Sequence, residues 1–210
     1  MIDFEVQLTA AEQPFRHLRG SGLLTPGQVQ DLRDTRPALD RYVRADRSTG
    51  PARRRYRLYA LEIFDESTGL RPRFDEFSPP WQELIADVLS ERFDEWLRAS
   101  AGFTEHYTHR TCGIYTHTDG DFQDVGTGKL DKRLSISISL NPDWPSDGRG
   151  DMALWSGPSD VGEPVVRVPP LGGTCFVYSP SPTTWHGIVP VAPHRGLVRN
   201  WIGLTYYNKA

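Results

Sequence analysis

The run Leu134-Ser135-Ile136-Ser137-Ile138-Ser139-Leu140 constrains this chain more than any other stretch. Aliphatic and hydroxyl residues alternate without a break. Successive side chains of a β-strand point to opposite faces, so the run predicts a strand with two chemically different sides. The aliphatic side must be covered by an apolar layer, while the serine side either meets water or lines an enclosed interior. A cover is available upstream. After Pro79-Pro80, residues Trp81, Leu84, Ile85, Val88, Leu89, Phe93, Trp96 and Leu97 fall on one helical stripe, with Glu83, Asp87, Glu91 and Arg92 over much of the remainder. A stripe that wide predicts one long helix supporting a sheet.

The rest of the N-terminal half reads as further helical support. Thr25 before Pro26, with Gln28 three residues after the threonine, has the form of a capping box with proline at the first helical position. Val29, Leu32, Leu39, Tyr42 and Val43 give that segment an apolar face, which Pro37 divides in two. Thr9 and Glu12 offer a weaker box that Pro14 spoils. The basic cluster Arg53-Arg54-Arg55-Tyr56-Arg57 reads as a solvated edge ahead of a strand over Leu58 to Phe64; binding of a phosphate, a nucleic acid or an anionic substrate is the alternative. From Phe103 onward the pattern is one of short strands.

With 210 residues, 38% of them hydrophobic and 24% charged, the composition describes one domain able to bury a core. A net charge of −3 gives no bulk attraction to nucleic acid or to a membrane surface. No stretch approaches a membrane span, and Met1 to Leu24 holds no apolar run of signal length, so the expected location is the cytoplasm. Cys112 and Cys175 each sit in a strand-like apolar run and read as reduced, buried thiols. Basic residues are almost all arginine, with lysine only at 129, 132 and 209, a bias that suggests a GC-rich bacterial genome.

Chemistry enters with Tyr115-Thr116-His117-Thr118-Asp119. Residues i and i+2 of an extended strand share a face, so His117 and Asp119 can present an imidazole and a carboxylate to one point. His186 lies between two apolar strand-like runs, Gly173 to Tyr178 and Ile188 to Val191, and a neighbouring strand can deliver its imidazole to the same place. Two histidines and a carboxylate with open positions select non-haem Fe(II) and oxygen chemistry. Tyr115 shares the face of His117 and either lines the pocket or packs in the core. His106 and His109 are three apart, which does not suit one strand face. Asp121 and Asp124 rival Asp119 by residue type, but they belong to a Gly-rich loop that reaches about Lys132 and reads as the mouth of the site.

Several further stretches fit one pattern: Leu140-Asn141-Pro142-Asp143-Trp144, Gly150-Asp151-Met152-Ala153-Leu154-Trp155, Pro170-Leu171-Gly172-Gly173-Thr174-Cys175-Phe176 and Trp185-His186-Gly187-Ile188-Val189-Pro190-Val191, then Arg195 and Trp201. Together with His117-Thr118-Asp119 they resemble the Fe(II)- and 2-oxoglutarate-dependent dioxygenases, above all the prolyl-hydroxylase-like branch, from about Phe103 to the end. The resemblance implies a mainly β fold with supporting α-helices, a double-stranded β-helix of the jelly-roll, cupin-like kind. Residues 1–102 supply helical support and flanking strands, and 103–210 the core, within a single 1–210 domain.

The same resemblance implies that His117, Asp119 and His186 hold Fe(II), with 2-oxoglutarate and O2 as co-reactants. Arg195, nine residues after His186, is the expected partner of the distal carboxylate of 2-oxoglutarate, because a guanidinium forks onto a carboxylate. Arg199 is its rival and otherwise contacts substrate, as does Trp201. Ser139 and Tyr115 are expected beside the cosubstrate. The leading expectation is a hydroxylase of a small molecule, an amino acid or specialised metabolite, that releases succinate and CO2. A protein or peptide prolyl hydroxylase and a non-catalytic cupin-like binding protein are the alternatives. Retention of Asp119 argues against halogenation, and Trp201 at the position six after Arg195 argues against nucleobase demethylation. The expected partner is a small-molecule substrate, without nucleic acid or membrane, for a monomer or homodimer.

Overall fold

The computed structural model describes residues 1–49, 54–102, 106–129, 131–158 and 162–208. The N-terminal part contains β1 (Thr9–Ala11), β2 (His17–Gly20), α1 (Pro26–Asp34), β3 (Val43–Asp46), β4 (Tyr56–Asp65), α2 (Pro79–Leu89) and α3 (Glu91–Ala101). The C-terminal part contains β5 (His109–His117), β6 (Phe122–Gly126), β7 (Lys132–Ser139), β8 (Met152–Trp155), β9 (Val166–Val168), β10 (Cys175–Tyr178), β11 (Trp185–Ile188) and β12 (Arg199–Tyr207). The strands form one curled antiparallel sheet in the order β1-β2-β10-β7-β12-β5-β4-β6-β11-β8-β9, with β3 on β4. The fold is thus mainly β with a few helices, as expected.

The curl is made at β4. Its C-terminal part pairs with β5 (Tyr59 with Thr116), while Tyr56 and Arg57 pair with Gln123 and Phe122 of β6. One strand therefore joins the larger layer to the smaller layer β6-β11-β8-β9, and the two enclose an interior between them. Leu134, Ile136 and Ile138 of β7 are buried in one cluster with Ile202 and Leu204 of β12, Ile114 of β5, and Leu84, Ile85 and Val88 of α2. The aliphatic face of the alternating run thus lies under the helices, as its period requires.

At α1 the capping box is present: the Gln28 N–H donates to Thr25 Oγ1 (3.3 Å) and the Thr25 N–H donates to Gln28 Oε1 (2.8 Å). The helix stops before Pro37, and a separate short 3-10 turn follows over Leu39–Arg41. The single helix expected after Pro79 is two. Ser90 takes an extended backbone (φ −75°, ψ 156°), its N–H closes α2 on the Asp87 carbonyl, and its Oγ accepts the Phe93 N–H at 3.1 Å to cap α3. The apolar stripe runs through the break because both helices lay it on the same sheet. Cys112 and Cys175 are free thiols in the core. None of the described helices is long and apolar enough to cross a membrane.

One polar group ties α3 to the sheet. Buried Asp94 accepts from Arg110 Nη1 of β5 (3.1 Å to each oxygen), from Tyr107 Oη (3.2 Å) and from the Tyr206 hydroxyl of β12. Removing one member of a buried ion pair strands the other without a counter-charge. Asp94→Ala is expected to lower stability by about 3 kcal/mol, read from the midpoint of a urea titration followed by circular dichroism, with a change below about 0.5 kcal/mol ruling out a structural role for the pair.

Candidate active site

The opposite side of the larger layer faces the enclosed interior. With the even-numbered residues of β5, β7 and β12 under the helices, the odd-numbered ones point inward. The register sets them in rows: Arg199 opposite His117, Trp201 between Tyr115 and Ser139, Gly203 between Gly113 and Ser137. Five of the residues singled out from the sequence, Tyr115, His117, Ser139, Arg199 and Trp201, therefore meet at one end of the interior. The Tyr115 and Trp201 rings stack, with centroids 4.3 Å apart. They lie flat over glycine: a Cβ at Gly203 would stand 2.4 Å from the Trp201 ring, and one at Gly113 2.9 Å from the Tyr115 hydroxyl.

Arg199 is fixed from both sides. Its Nε donates to the Gly150 carbonyl at 2.8 Å. Asn141 brackets the next residue: its Oδ1 accepts the Asn200 N–H (2.8 Å), and its Nδ2 donates to the carbonyls of Asn200 (3.3 Å) and Pro170 (2.6 Å).

The polar groups at this end are buried and unspent. Arg199 is 2% exposed and its Nη1 has no partner within the protein; His117 is wholly buried with neither ring nitrogen bonded, and Asp151 Oδ1 and Trp201 Nε1 are likewise unpaired. Such atoms are rare in folded proteins and costly when left dry. Burial, helped by the Arg199 charge, pushes the His117 pKa down to about 3, so the ring is neutral and offers one donor and one acceptor. Burial also lowers Arg199 to about 10, against the opposing pull of Asp151, and it remains a cation at neutral pH. Asp151 moves the other way: burial raises its pKa although Arg167 and Arg199 oppose the rise. A guanidinium with a free Nη1, an indole N–H and a neutral imidazole form a donor set suited to a carboxylate.

Other expected residues are elsewhere. Arg195 is exposed and pairs with Asp147 at 2.9 Å. The chain from Pro193 to Gly196 loops outward, with His194 and Gly196 at positive φ (61° and 62°), and β12 starts only at Arg199. Pro193 and Gly196 are the turn signals that mark this excursion. Asp119 is exposed on the turn after β5. The buried carboxylate there is Asp121, which takes Arg44 through both oxygens (2.7 and 2.8 Å), Arg57 Nε (2.9 Å) and the Thr118 N–H (2.9 Å). The basic cluster does lead into a strand, with Arg55 exposed, but its charges have partners: Arg57 serves Asp121, Arg55 bonds Asp124 at 2.6 Å, and Arg54 turns into the wall between β6 and β11. Arg53 lies outside the described residues. The segment read as a loop to Lys132 contains β6. His109 is an ordinary strand residue, stacked on Tyr207.

His186 is also buried, and its ring is already committed. Its Nδ1–H donates to the Thr184 carbonyl (2.8 Å), so Nε2 accepts the Tyr178 O–H at 2.9 Å. Tyr178 stands in the row of Ser135 and Thr205, six residues along β12 from Arg199 and His117. The row of Tyr178 thus lies roughly 20 Å of strand from the row of His117, and His186 spends both ring nitrogens within its own row while those of His117 have no partner. Among the described residues no group of three His, Cys, Asp or Glu side chains is placed to hold a metal ion.

Residues 103–203 match the model of the 2OG-Fe(II) oxygenase superfamily. No curated protein matches. Among solved structures the chain is similar to a Pseudomonas putida prolyl-4-hydroxylase (14% identity, 92% of each chain, TM-score 0.62). It is also similar to SnoN, a non-haem alpha-ketoglutarate-dependent epimerase from nogalamycin biosynthesis (16% identity, 91% of this chain and 77% of that one, TM-score 0.58). A third is HygX from Streptomyces hygroscopicus, solved with nickel and 2-oxoglutarate (13% identity, 92% and 83%, TM-score 0.53). At these identities the likeness is one of fold. Of the groups such proteins use, a dicarboxylate fits the unpaired donors around Arg199. A metal does not fit His117, Asp119 and His186 as they stand.

The two neighbouring aspartates have opposite roles. Burial works to raise the Asp121 pKa, but Arg44, the Thr118 N–H and Arg57 overcome it and hold the carboxyl below its ordinary value. A depressed carboxylate pKa adds stability that is present above the unfolded value, about 3.9, and is lost as pH falls through the folded value. Asp121→Ala is expected to cost about 3 kcal/mol at neutral pH and to flatten the acid limb of stability below about pH 4. Asp119→Ala should stay within about 0.5 kcal/mol of wild type; thermal melts across that range distinguish the two.

Proposed function

The chain belongs over residues 103–203 to the 2OG-Fe(II) oxygenase superfamily, a family of oxidoreductases whose cofactors are Fe(II), 2-oxoglutarate and O2, and we propose that it binds 2-oxoglutarate through Arg199 and oxidises a small molecule. The observation that carries this reading is the buried guanidinium of Arg199 with its unpaired Nη1, opposite the unpaired ring of His117. A carboxylate placed there meets the arginine fork, and the Trp201 N–H and the Ser139 hydroxyl side complete the seat. Arg199 thus takes the part first expected of Arg195. Neutral His117 supplies one further hydrogen bond without adding charge. The stacked rings of Tyr115 and Trp201 wall the seat and exclude water from one side. The reaction class is hydroxylation of an unactivated C–H with release of succinate and CO2, for which Fe(II) would supply the activation of O2; His117, Asp119 and His186 do not come together to hold that metal here, so the geometry supports the seat for 2-oxoglutarate.

A small-molecule substrate is favoured by the enclosed interior and by the likeness to an epimerase of nogalamycin biosynthesis. The second reading, a protein or peptide prolyl hydroxylase, is supported by the Pseudomonas putida likeness and by Leu140 to Trp144. Within that stretch Asn141 spends both ends of its amide on holding Asn200 and Pro170, a structural duty that any substrate class would share. Nucleobase demethylation is disfavoured from Arg199 as well, because the position six residues on is Thr205.

Calorimetric titration with 2-oxoglutarate tests the assignment. Arg199→Leu should weaken binding by more than about tenfold, the loss of a charge-assisted hydrogen bond, while Arg195→Leu leaves it unchanged; the reverse pattern sinks the proposal. Succinate release with a metabolite panel but not with proline-containing peptides then separates the two substrate classes.

A further inference from the structure

The strand that opens the chain's alternating run breaks its own period at one end. Leu134, Ile136 and Ile138 of β7 lie under the helices, and a regular strand would send residue 132 there with them. The pairing with β12 slips instead: Tyr206 stands opposite Leu134, but Tyr207 stands opposite Lys132, so Arg133 is an extra residue. Two residues facing one make a β-bulge, a device that re-aims a side chain. Here it turns Lys132 to the inner side. Its Nζ lies 5.8 Å from the centre of the Tyr207 ring, which is stacked in turn on His109, with centroids 4.7 Å apart. Arg133 stays exposed.

The ammonium of Lys132 is unspent, for none of the described residues accepts a hydrogen bond from it. A second positive charge backs it. Arg54 donates through Nη2 to the His186 carbonyl (2.7 Å) and through Nε to the Asp124 carbonyl (2.9 Å), neutral acceptors that leave its charge uncancelled. Among the described residues no carboxylate stands within ion-pair distance of either cation: Asp124 turns to Arg55, and Asp65 spends Oδ1 on the N–H and hydroxyl of Ser67 (2.8 and 2.7 Å). Burial, then Lys129 and Arg54, lower the Lys132 pKa to about 8 against the pull of Asp131, and at neutral pH the amine is still mostly protonated. Lys132 and Arg199 therefore mark opposite ends of one floor. Eight residues of β12 separate their rows, roughly 26 Å of strand. Past Tyr115 and Trp201 the floor between them is Gly113, Gly203, Ser137, Thr111, Thr205 and Ser135, all uncharged. A five-carbon diacid at Arg199 fills only one end of that length.

We propose that Lys132, with Arg54 behind it, seats an acid group of the molecule to be oxidised, so that the substrate is a small oxyanion whose uncharged body lies over the serine, threonine and glycine floor. An ammonium with three free donors fits a carboxylate or a phosphate equally well. The substrate's place beside the cosubstrate rests on the assignment of 2-oxoglutarate to Arg199; the acid seat at Lys132 does not.

The test is calorimetry on the full chain saturated with 2-oxoglutarate, titrated with hexanoate, hexyl phosphate and the neutral hexanamide. One of the two acids should bind more than about tenfold more tightly than the amide, the worth of a charge-assisted hydrogen bond, and which of them does so names the acid. Lys132→Met should abolish that preference, Lys132→Arg should keep it, and Lys129→Met, which removes an exposed charge nearby, should leave it intact. Lys132→Gln replaces the methionine variant if that does not fold. The 2-oxoglutarate affinity of Lys132→Met should stay within about threefold of wild type. Equal binding of acid and amide, a preference that survives Lys132→Met, or no binding of any probe to wild type would overturn the proposal. If 2-oxoglutarate itself fails to bind, the Arg199 assignment falls, and the same titrations on Arg199→Leu still decide the role of Lys132.

Discussion

Everything in this structure depends on three neighbouring strands, β5, β12 and β7, keeping their two faces separate. Ile114, Ile202 and Ile138 lie in one row under the helices, and the residues beside them in sequence, Tyr115, Trp201 and Ser139, lie in one row on the other side. A one-residue slip of any pairing would carry aliphatic groups into the interior and strand hydroxyl, imidazole and guanidinium groups against the helices. The apolar face thus fixes the register, and the register in turn puts Arg199 opposite His117. Packing that has nothing to do with chemistry sets the chemical arrangement.

Much of this was legible in the sequence, because it depends on period and on local capping. The Leu/Ile-Ser alternation gave β7 and both its faces, and Thr25-Pro26 with Gln28 gave the start of α1. Where the structure differs from the periodic pattern, a local backbone choice overrides it. Ser90 interrupts a stripe whose spacing continues across it, so periodicity alone joins α2 to α3. A return through Ala192-Pro193-His194 would put Arg195 at the start of the last strand; with His194 and Gly196 both at positive φ the turn runs on, and β12 begins four residues later at Arg199. The i, i+2 spacing of His117 and Asp119 puts both on one face only within a continuous strand, whereas β5 ends at His117 and the turn held by Asp121 leaves Asp119 in solvent.

The arginine cluster shows a different limit. A run of charges has no period to read, and its commonest fate is solvation. Here three successive partners, Asp121, Asp124 and the wall beside His186, divide Arg57, Arg55 and Arg54 among them, although they lie about 64 to 70 or more residues away in sequence. Only long-range pairing across β4 and β6 brings them together, and no window of neighbouring residues contains that information.

The two glycines under the aromatic pair have a further consequence. Tyr115 and Trp201 can recline on the sheet only because positions 113 and 203 carry hydrogen where every other residue carries carbon. The floor of the chamber is therefore the two aromatic faces, and its depth is determined by glycine backbone beneath them that makes no contact with whatever the chamber receives. Selectivity for the size of a guest resides, in part, in side chains that are not there.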